Sequence, residues 1–181
     1  EEQLAALAAG AKGADLLLTA GGASVGEHDL VQKVLGEQGL ELDFWRIAMR
    51  PGKPLMFGQL GGTPMIGLPG NPVSAVVCSL LYARPALNAL LGLDLPPHPL
   101  QQMVLGGDLG PNDQRQDYLR ATIAENGDGR RTVTPYGRQD SSMLALLAAA
   151  DGLIVRAPHA PAAAKGELAE VLSFPDLVPG L

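Results

Sequence analysis

Cysteine, histidine and aromatic side chains are scarce in this sequence of 181 residues. Cys78 is its only cysteine, which excludes an intrachain disulfide framework and a cysteine-based zinc site, and its place in an apolar helical stretch makes it a buried structural thiol. Three histidines with no metal-ligand spacing between them offer no histidine metal centre. Aromatic residues make up 4% of the chain, so leucine, valine and alanine must fill the core that 46% hydrophobic content provides. Net positive charge is also missing. At −6, with a pI near 4.9, the chain has no general nucleic-acid surface, and an anionic ligand would need local cations. No uninterrupted apolar run approaches the length of a membrane span, and no signal-peptide pattern is present. The expectation is a cytoplasmic protein with neither a membrane nor a nucleic acid as partner. A nucleophile elbow, a Walker lysine and a dinucleotide fingerprint are absent too.

What is abundant is turn chemistry. Gly 23 and Pro 15 imply many tight turns, without a collagen-like period. The most informative turn is Gly67 to Ala75, GLPGNPVSA, which closes the apolar run 64–68 and opens a long amphipathic helix. Asn71 suits the N-cap and Pro72 the first helical position, where a missing N–H costs nothing. Val73, Val76, Val77, Leu80, Leu81, Leu87 and Leu91 then recur at helical spacing. Free N–H groups at such a helix start suit a phosphate or another anion, and an ordinary ligand-free turn is the alternative.

Taken in order, the chain begins with a helical pattern over 1–12 and no initiator methionine, and reads as a piece of a longer protein. A short continuous apolar strand over 15–19 suits a sheet covered on both faces. A glycine-rich loop follows, and then a helix with Leu30, Val31, Val34 and Leu35 inward, stopped by Gly36 and Gly39. Strands are expected at 42–49, 55–59 and 64–68. This alternation indicates a parallel or mixed sheet flanked by helices. Near Gly92 the character changes, because Pro96, Pro97 and Pro99 cannot continue a helix. Short strand-like runs at 103–105, 118–124, 132–136, 152–156 and 167–174, with a helix near 142–149, indicate a small β-rich domain. The expected division is therefore an α/β domain over 1–92, a linker over 93–100 and a β-rich domain over 101–181.

Three loops of the first domain follow apparent strands, and in an open α/β sheet ligands sit outside the carboxyl ends of the strands. The loop at 20–29 supplies Gly21, Gly22, Ser24, Gly26, Glu27 and Asp29. The loop at 50–54 supplies Arg50, Gly52 and Lys53, and the turn at 67–74 supplies Pro69, Gly70, Asn71, Pro72 and Ser74. Glycine backbone, cations and a helix N-terminus suit phosphoryl oxygens, and carboxylates suit a hard metal such as Mg²⁺. Each part has a plainer alternative. Asp29 with Gln32 fits a capping box, Arg50 and Lys53 fit solvated loop charges, Gly21-Gly22 fits a turn, and His28 fits a surface histidine as readily as a ligand or general base.

At these residues TAGGASVGEHD (19–29), RPGKPLMFG (50–58) and GLPGNPVSA (67–75) resemble the ordered motifs of the molybdopterin molybdenumtransferases, the family that includes the E domain of gephyrin. GRQDSSMLALLAAADGLIV (137–155) resembles the same family's C-terminal domain, so the likeness covers nearly the whole chain. The resemblance implies a three-layer α/β/α molybdopterin-binding domain, truncated at its front, followed by a small β domain in a homodimer. It implies insertion of molybdate into adenylylated molybdopterin, with release of AMP and the help of Mg²⁺. By the same resemblance Asp29 is expected at the metal or molybdate, Lys53 at an oxyanion, Gly67 to Ser74 around the pterin's phosphate end, and Ser141 as a contact from the second domain. A molybdopterin adenylyltransferase-type domain and a gephyrin-like scaffold are the alternatives. Departures are Arg50, where many relatives carry lysine, and Arg138 and Asp140, which replace His and Gly of a GHQGS-like motif. The family's opening strand and TGDEL-like loop have no counterpart here, so this stretch is expected to bind and turn over poorly by itself.

Overall fold

Two compact units make up the chain, and their boundary does not follow sequence order. The computed structural model describes residues 6, 9–11, 13–21, 34–94, 98–140 and 142–177. Unit 1 comprises residues 1–47 and 52–95, and unit 2 comprises 48–51 and 96–181.

Unit 1 is an α/β domain. Its strands β1 (Leu17–Ala20), β2 (Leu40–Trp45), β4 (Met56–Leu60) and β5 (Thr63–Leu68) form a sheet in the order β1-β5-β4-β2. β1 and β5 run parallel, while β5/β4 and β4/β2 are antiparallel, so the sheet is mixed. On one face Leu35, from the helical residues 34–37, packs with Met56, Leu60 and Met65, joined by Leu17, Leu40, Leu42 and Trp45. Helix 34–37 turns out through Gly39 at φ 91°, as its glycines lead one to expect. Of the helix expected over 1–12, Ala6, Ala9 and Gly10 are helical and the other positions of its first eight lie outside the described residues.

The helix after β5, α1, spans Pro72–Leu90. It is α-helical over Pro72–Cys78, π-helical over Ser79–Ala83 and α-helical again over Arg84–Leu90. Val73, Val77, Cys78 and Leu81 are almost wholly buried, whereas Val76, Leu87 and Leu91 are exposed, Leu91 at 71%. Beyond Ser79 a uniform helical period does not describe this helix, and Pro85 is the physical reason. Proline brings no N–H and crowds the preceding turn, and a wider π turn ahead of it takes up the misfit. The Arg84 N–H accordingly reaches Ser79 O, and the freed Leu80 carbonyl accepts Arg84 Nε at 3.5 Å. The extra residue in that turn rotates Leu87 and Leu91 off the buried stripe. Because the helix runs on through Pro85, it also reaches 19 residues at a mean hydropathy of 1.4, a length and composition sufficient to cross a membrane. The sequence shows no such run because Ser79, Arg84, Pro85 and Asn88 interrupt it.

Unit 2 is β-rich. Its strands are β3 (Met49–Arg50), β6 (Leu100–Leu105), β7 (Gln116–Glu125), β8 (Arg131–Pro135), β9 (Gly152–Arg156) and β10 (Leu168–Ser173), with short helices α2 (Leu144–Ala148) and α3 (Phe174–Leu177). The order is β3-β7-β8-β6-β10-β9, and a further β7–β9 pairing closes the sheet on itself. Closure leaves few free edges and encloses Met103, Leu105, Ala121, Val133, Ile154 and Val171. The strands expected from sequence in this half are present within two or three residues at each end.

β3 departs from expectation. A single strand over 42–49 is expected, but β2 stops at Trp45, Arg46 takes φ 77°, and Met49–Arg50 pair in parallel with Gln116–Asp117 of β7. Residues 48–51 thus leave a domain expected to be continuous over 1–92 and join unit 2. A strand of two residues is too short to carry a periodic signal, so the sequence does not announce it.

Gly58 is required by a close approach between strands. At the β2/β4 irregularity near Asp43, a Cβ on Gly58 would lie 2.3 Å from the Glu41 carbonyl oxygen. Gly58→Ala should therefore cost about 1–3 kcal/mol of unfolding free energy, read as a lower urea midpoint; an unchanged midpoint would refute this packing. Burial also pushes the Cys78 thiol up to about 12. In the native chain Cys78 should resist thiol reagents at pH 8 and react at full rate only in denaturant, and fast native labelling would contradict its burial.

Candidate functional site

β1 and β5 end side by side, with Ala20 opposite Leu68. The backbone N–H of Gly21 donates to Leu68 O at 3.1 Å, and a Cβ on Gly70 would stand 3.3 Å from Gly21 Cα. The approach is tight at Gly70, and Gly21 is favoured there by its φ of 87°. Antiparallel pairing sets Met56, the start of β4, opposite Gly67, and Trp45 opposite Met56. The turn before β4, which holds Gly52 and Lys53, therefore lies at the same rim of unit 1 as Gly21 and the Pro69-Gly70 turn. Register alone brings together Gly21, the Gly52-Lys53 part of the second expected loop and the Pro69-Gly70 turn, whereas Arg50 of that second loop belongs to unit 2.

Each part is fixed locally. Asn71 is the N-cap of α1, with Oδ1 accepting Ser74 N at 3.2 Å, and Pro72 occupies the first turn. Ser74 is buried and its hydroxyl also meets Asn71 Oδ1, at 3.4 Å, so in this arrangement it braces the cap. Pro69 is buried and Gly70 exposed. The Lys53 turn is pinched by three backbone bonds: Arg46 N to Leu55 O at 3.0 Å, Ile47 N to Lys53 O at 3.0 Å, and Leu55 N to Gly52 O at 3.1 Å. Beneath it, Cys78 Sγ donates to Gly52 O at 3.9 Å, tying the turn to α1. The Lys53 side chain is exposed. Earlier in the chain, Arg46 lies over the Trp45 ring, with Cζ 3.8 Å from the centroid.

Gly22, Ser24, Gly26, Glu27, His28 and Asp29 lie outside the described residues, as does Ser141. Among the described residues no group of three or more His, Cys, Asp or Glu side chains could hold a metal ion. The described part of the rim therefore does not by itself fit Mg²⁺, and no step is routed through that ion.

Arg50 belongs to unit 2. Its two terminal nitrogens take carboxylates of unit 2, Nη2 on Asp117 Oδ2 and Nη1 on Asp113 Oδ2 at 3.4 Å. Asp113 is further held by Arg115, whose side chain and backbone N–H, with a smaller contribution from Arg50, keep its carboxyl down at about 2. Sequence reasoning missed Asp117. The signal for it was an acid placed among the buried positions of a strand, where a carboxylate needs a cationic partner. It missed Thr19 as well, whose Oγ1 is buried without a hydrogen-bond partner among the described residues and faces Gly67.

Elsewhere in unit 2 the stretch around Ser141 is organised by Arg120, which is 2% exposed. Its guanidinium donates to Asp140 O at 2.9 Å, Met143 O at 3.1 Å and Gln139 Oε1 at 3.4 Å. Gln139 returns bonds to Arg120 O and Tyr136 O, both at 3.0 Å. Asp140 caps the turn by accepting Ser142 N at 2.8 Å, which holds its carboxyl below the usual range.

Two family models match successive parts of the chain. Residues 1–89 match the family model described as "Probable molybdopterin binding domain", and residues 102–174 match "MoeA C-terminal region (domain IV)". Molybdopterin molybdenumtransferase 2 of Mycobacterium tuberculosis is 38% identical over 147 residues, covering 78% of this chain and 35% of that protein. Molybdopterin molybdenumtransferase of Haemophilus influenzae is 35% identical over 170 residues, covering 91% of this chain and 41% of that protein. The solved structure of a molybdopterin biosynthesis MoeA protein from Pyrococcus horikoshii superposes with a TM-score of 0.75 at 27% identity, over 96% of this chain and 41% of that one. The chain thus spans well under half the length of these relatives. With both of its units matched in order, the chain belongs to the molybdopterin molybdenumtransferase family.

Proposed function

We propose that this chain is the substrate-binding C-terminal portion of an enzyme that inserts molybdate into adenylylated molybdopterin and releases AMP. The observation that supports it most is the shared rim of unit 1, where strand register gathers Gly21, the Lys53 turn and the capped start of α1. Molybdate and the phosphate end of molybdopterin are both tetrahedral oxyanions. Backbone donors with one exposed lysine can hold such groups without covalent chemistry and can offset charge that builds on a phosphoryl oxygen as the adenylate is cleaved. In this reading Lys53 meets an oxyanion, Gly67 to Ser74 wrap the pterin's phosphate end, and Asp29 acts at the molybdate or a bound Mg²⁺. Ser141 is a further ligand contact in this reading, on the family resemblance alone. The β-rich unit, matched to the MoeA C-terminal region, favours this reading over an adenylyltransferase-type domain. A cytoplasmic homodimer using Mg²⁺ is part of the same proposal and rests on the family resemblance.

Two substitutions test it, with molybdate-dependent AMP release and calorimetric affinity as readouts. Lys53→Ala should weaken molybdate binding about tenfold, the size of one charge-assisted hydrogen bond, and an unaltered molybdate requirement would remove Lys53 from the site. Asp29→Asn should abolish metal insertion while molybdopterin affinity stays near that of the parent chain. Lost affinity in a folded variant would count against a purely catalytic Asp29.

A further inference from the structure

Beyond its last ladder pair, Glu125 and Arg131, the hairpin between β7 and β8 is closed by two backbone bonds. Asn126 N donates to Arg130 O and Gly129 N donates to Asn126 O, both at 2.9 Å. Gly129 takes φ 78°, while Gly127 and Asp128 keep negative φ. This is a type I turn followed by a left-handed glycine, a common way to close a short hairpin. It sets Gly127 at the outer corner, where its N–H has no acceptor among the described residues. Asn126 and Gly127 are both exposed, and the Asn126 side-chain amide makes no hydrogen bond among the described residues.

The other three asparagines are held differently. Asn71 precedes Pro72, whose nitrogen carries no hydrogen, and its Oδ1 caps α1. Asn88 lies inside α1, where helical bonding restrains the nitrogen that follows it. Asn112 is pinned from both ends of its amide. Its Nδ2 donates to Arg115 O at 2.7 Å, Ala157 O at 2.8 Å and Arg156 O at 3.1 Å, and its Oδ1 accepts Asp113 N at 2.9 Å. Asn126 alone combines a free amide with an unhindered backbone nitrogen after it.

We propose that Asn126 is a modification site, at which the folded chain deamidates spontaneously through attack by the Gly127 nitrogen. That nitrogen bonds to Asn126 Cγ and gives up its proton to solvent. The Cγ–Nδ2 bond breaks, Nδ2 takes a proton, and ammonia leaves behind a five-membered succinimide. One water then opens the ring. Breaking the ring bond from nitrogen to Cγ yields aspartate, and breaking the bond to the backbone carbonyl carbon yields isoaspartate. No electrons are exchanged, and the sum is one water consumed and one ammonia released. Glycine suits the attack because it has no Cβ beside the nucleophile, and the hairpin end can open locally to let the side chain approach. Either product adds one negative charge. Isoaspartate also reroutes the main chain through Cβ and turns the carbonyl that accepts Gly129 N into a free carboxylate.

The experiment ages the native 181-residue chain and Gly127→Ala in warm, mildly alkaline buffer, beside the parent chain in denaturant. The alanine is compatible with folding, since a Cβ at Gly127 meets no atom within 4 Å. Trypsin then frees residues 121–130 as one peptide, because Arg120 and Arg130 flank it. Its mass gain reads amide loss, and labelling by an isoaspartyl methyltransferase reads the isoaspartate. The peptides carrying Asn88 and Asn112 serve as internal controls. In the native chain Asn126 should convert at least tenfold faster than Asn88 or Asn112, with isoaspartate among the products. Gly127→Ala should slow that conversion about tenfold, because a Cβ hinders the attacking nitrogen. Native Asn126 that stays intact while the denatured chain converts overturns the proposal. Conversion of Asn112 at an equal rate, or of Asn126 at the parent rate in Gly127→Ala, overturns it too.

Discussion

The candidate site depends first on the pairing of β1 with β5. These strands run parallel, so both deliver their carboxyl ends to one rim, and the Gly21 N–H to Leu68 O bond locks the two turns together there. Gly70 keeps that approach from being crowded, and Gly21 takes the positive φ the turn needs. Everything else at the rim follows from neighbouring registers. β4 begins opposite Gly67, so the Lys53 turn arrives beside the same strand ends, and α1 must start where Asn71 caps it. A slip of one residue in β1 would turn each side chain of that strand to the other face.

A second constraint acts at the opposite end of the Lys53 turn. The loop from Arg46 to Leu55 is pinched by backbone bonds at its neck and committed to β7 at its tip, so a segment that looks like a simple connection belongs to two units at once. The barrel around Val133 and Ile154 supplies the rigid surface for that tip. The same barrel buries Arg120, and its burial makes the charge harder to hold even as carbonyl oxygens of 140 and 143 satisfy its donors.

Much of this was legible in the residues. Asn71 and Pro72 mark the start of α1 because capping and a fixed φ are local properties, and the barrel strands stand out because short apolar runs alternate with Asp, Asn and Gly turns. Of the helix expected with Leu30, Val31, Val34 and Leu35 inward, Val34 and Leu35 are helical and buried, and Leu30 and Val31 lie outside the described residues. What was hidden depended on distant partners. Met49 looks like the end of β2 until β7 is in place, and Arg50 looks like a free loop cation until Asp117 is seen beside it. The exposure of Leu87 and Leu91 was hidden too, because a period of 3.6 cannot register a π turn that forms to accommodate Pro85.

The central claim is that one rim of unit 1 receives the oxyanion end of the substrate. Amide chemical-shift mapping of the chain, titrated with adenylylated molybdopterin and molybdate, tests it most directly. The account predicts that the largest perturbations fall on Gly21, Gly52, Lys53 and the amides from Gly70 to Ser74, and that molybdate enlarges them. Perturbations centred in the barrel unit, with that rim unmoved at saturating ligand, would contradict it.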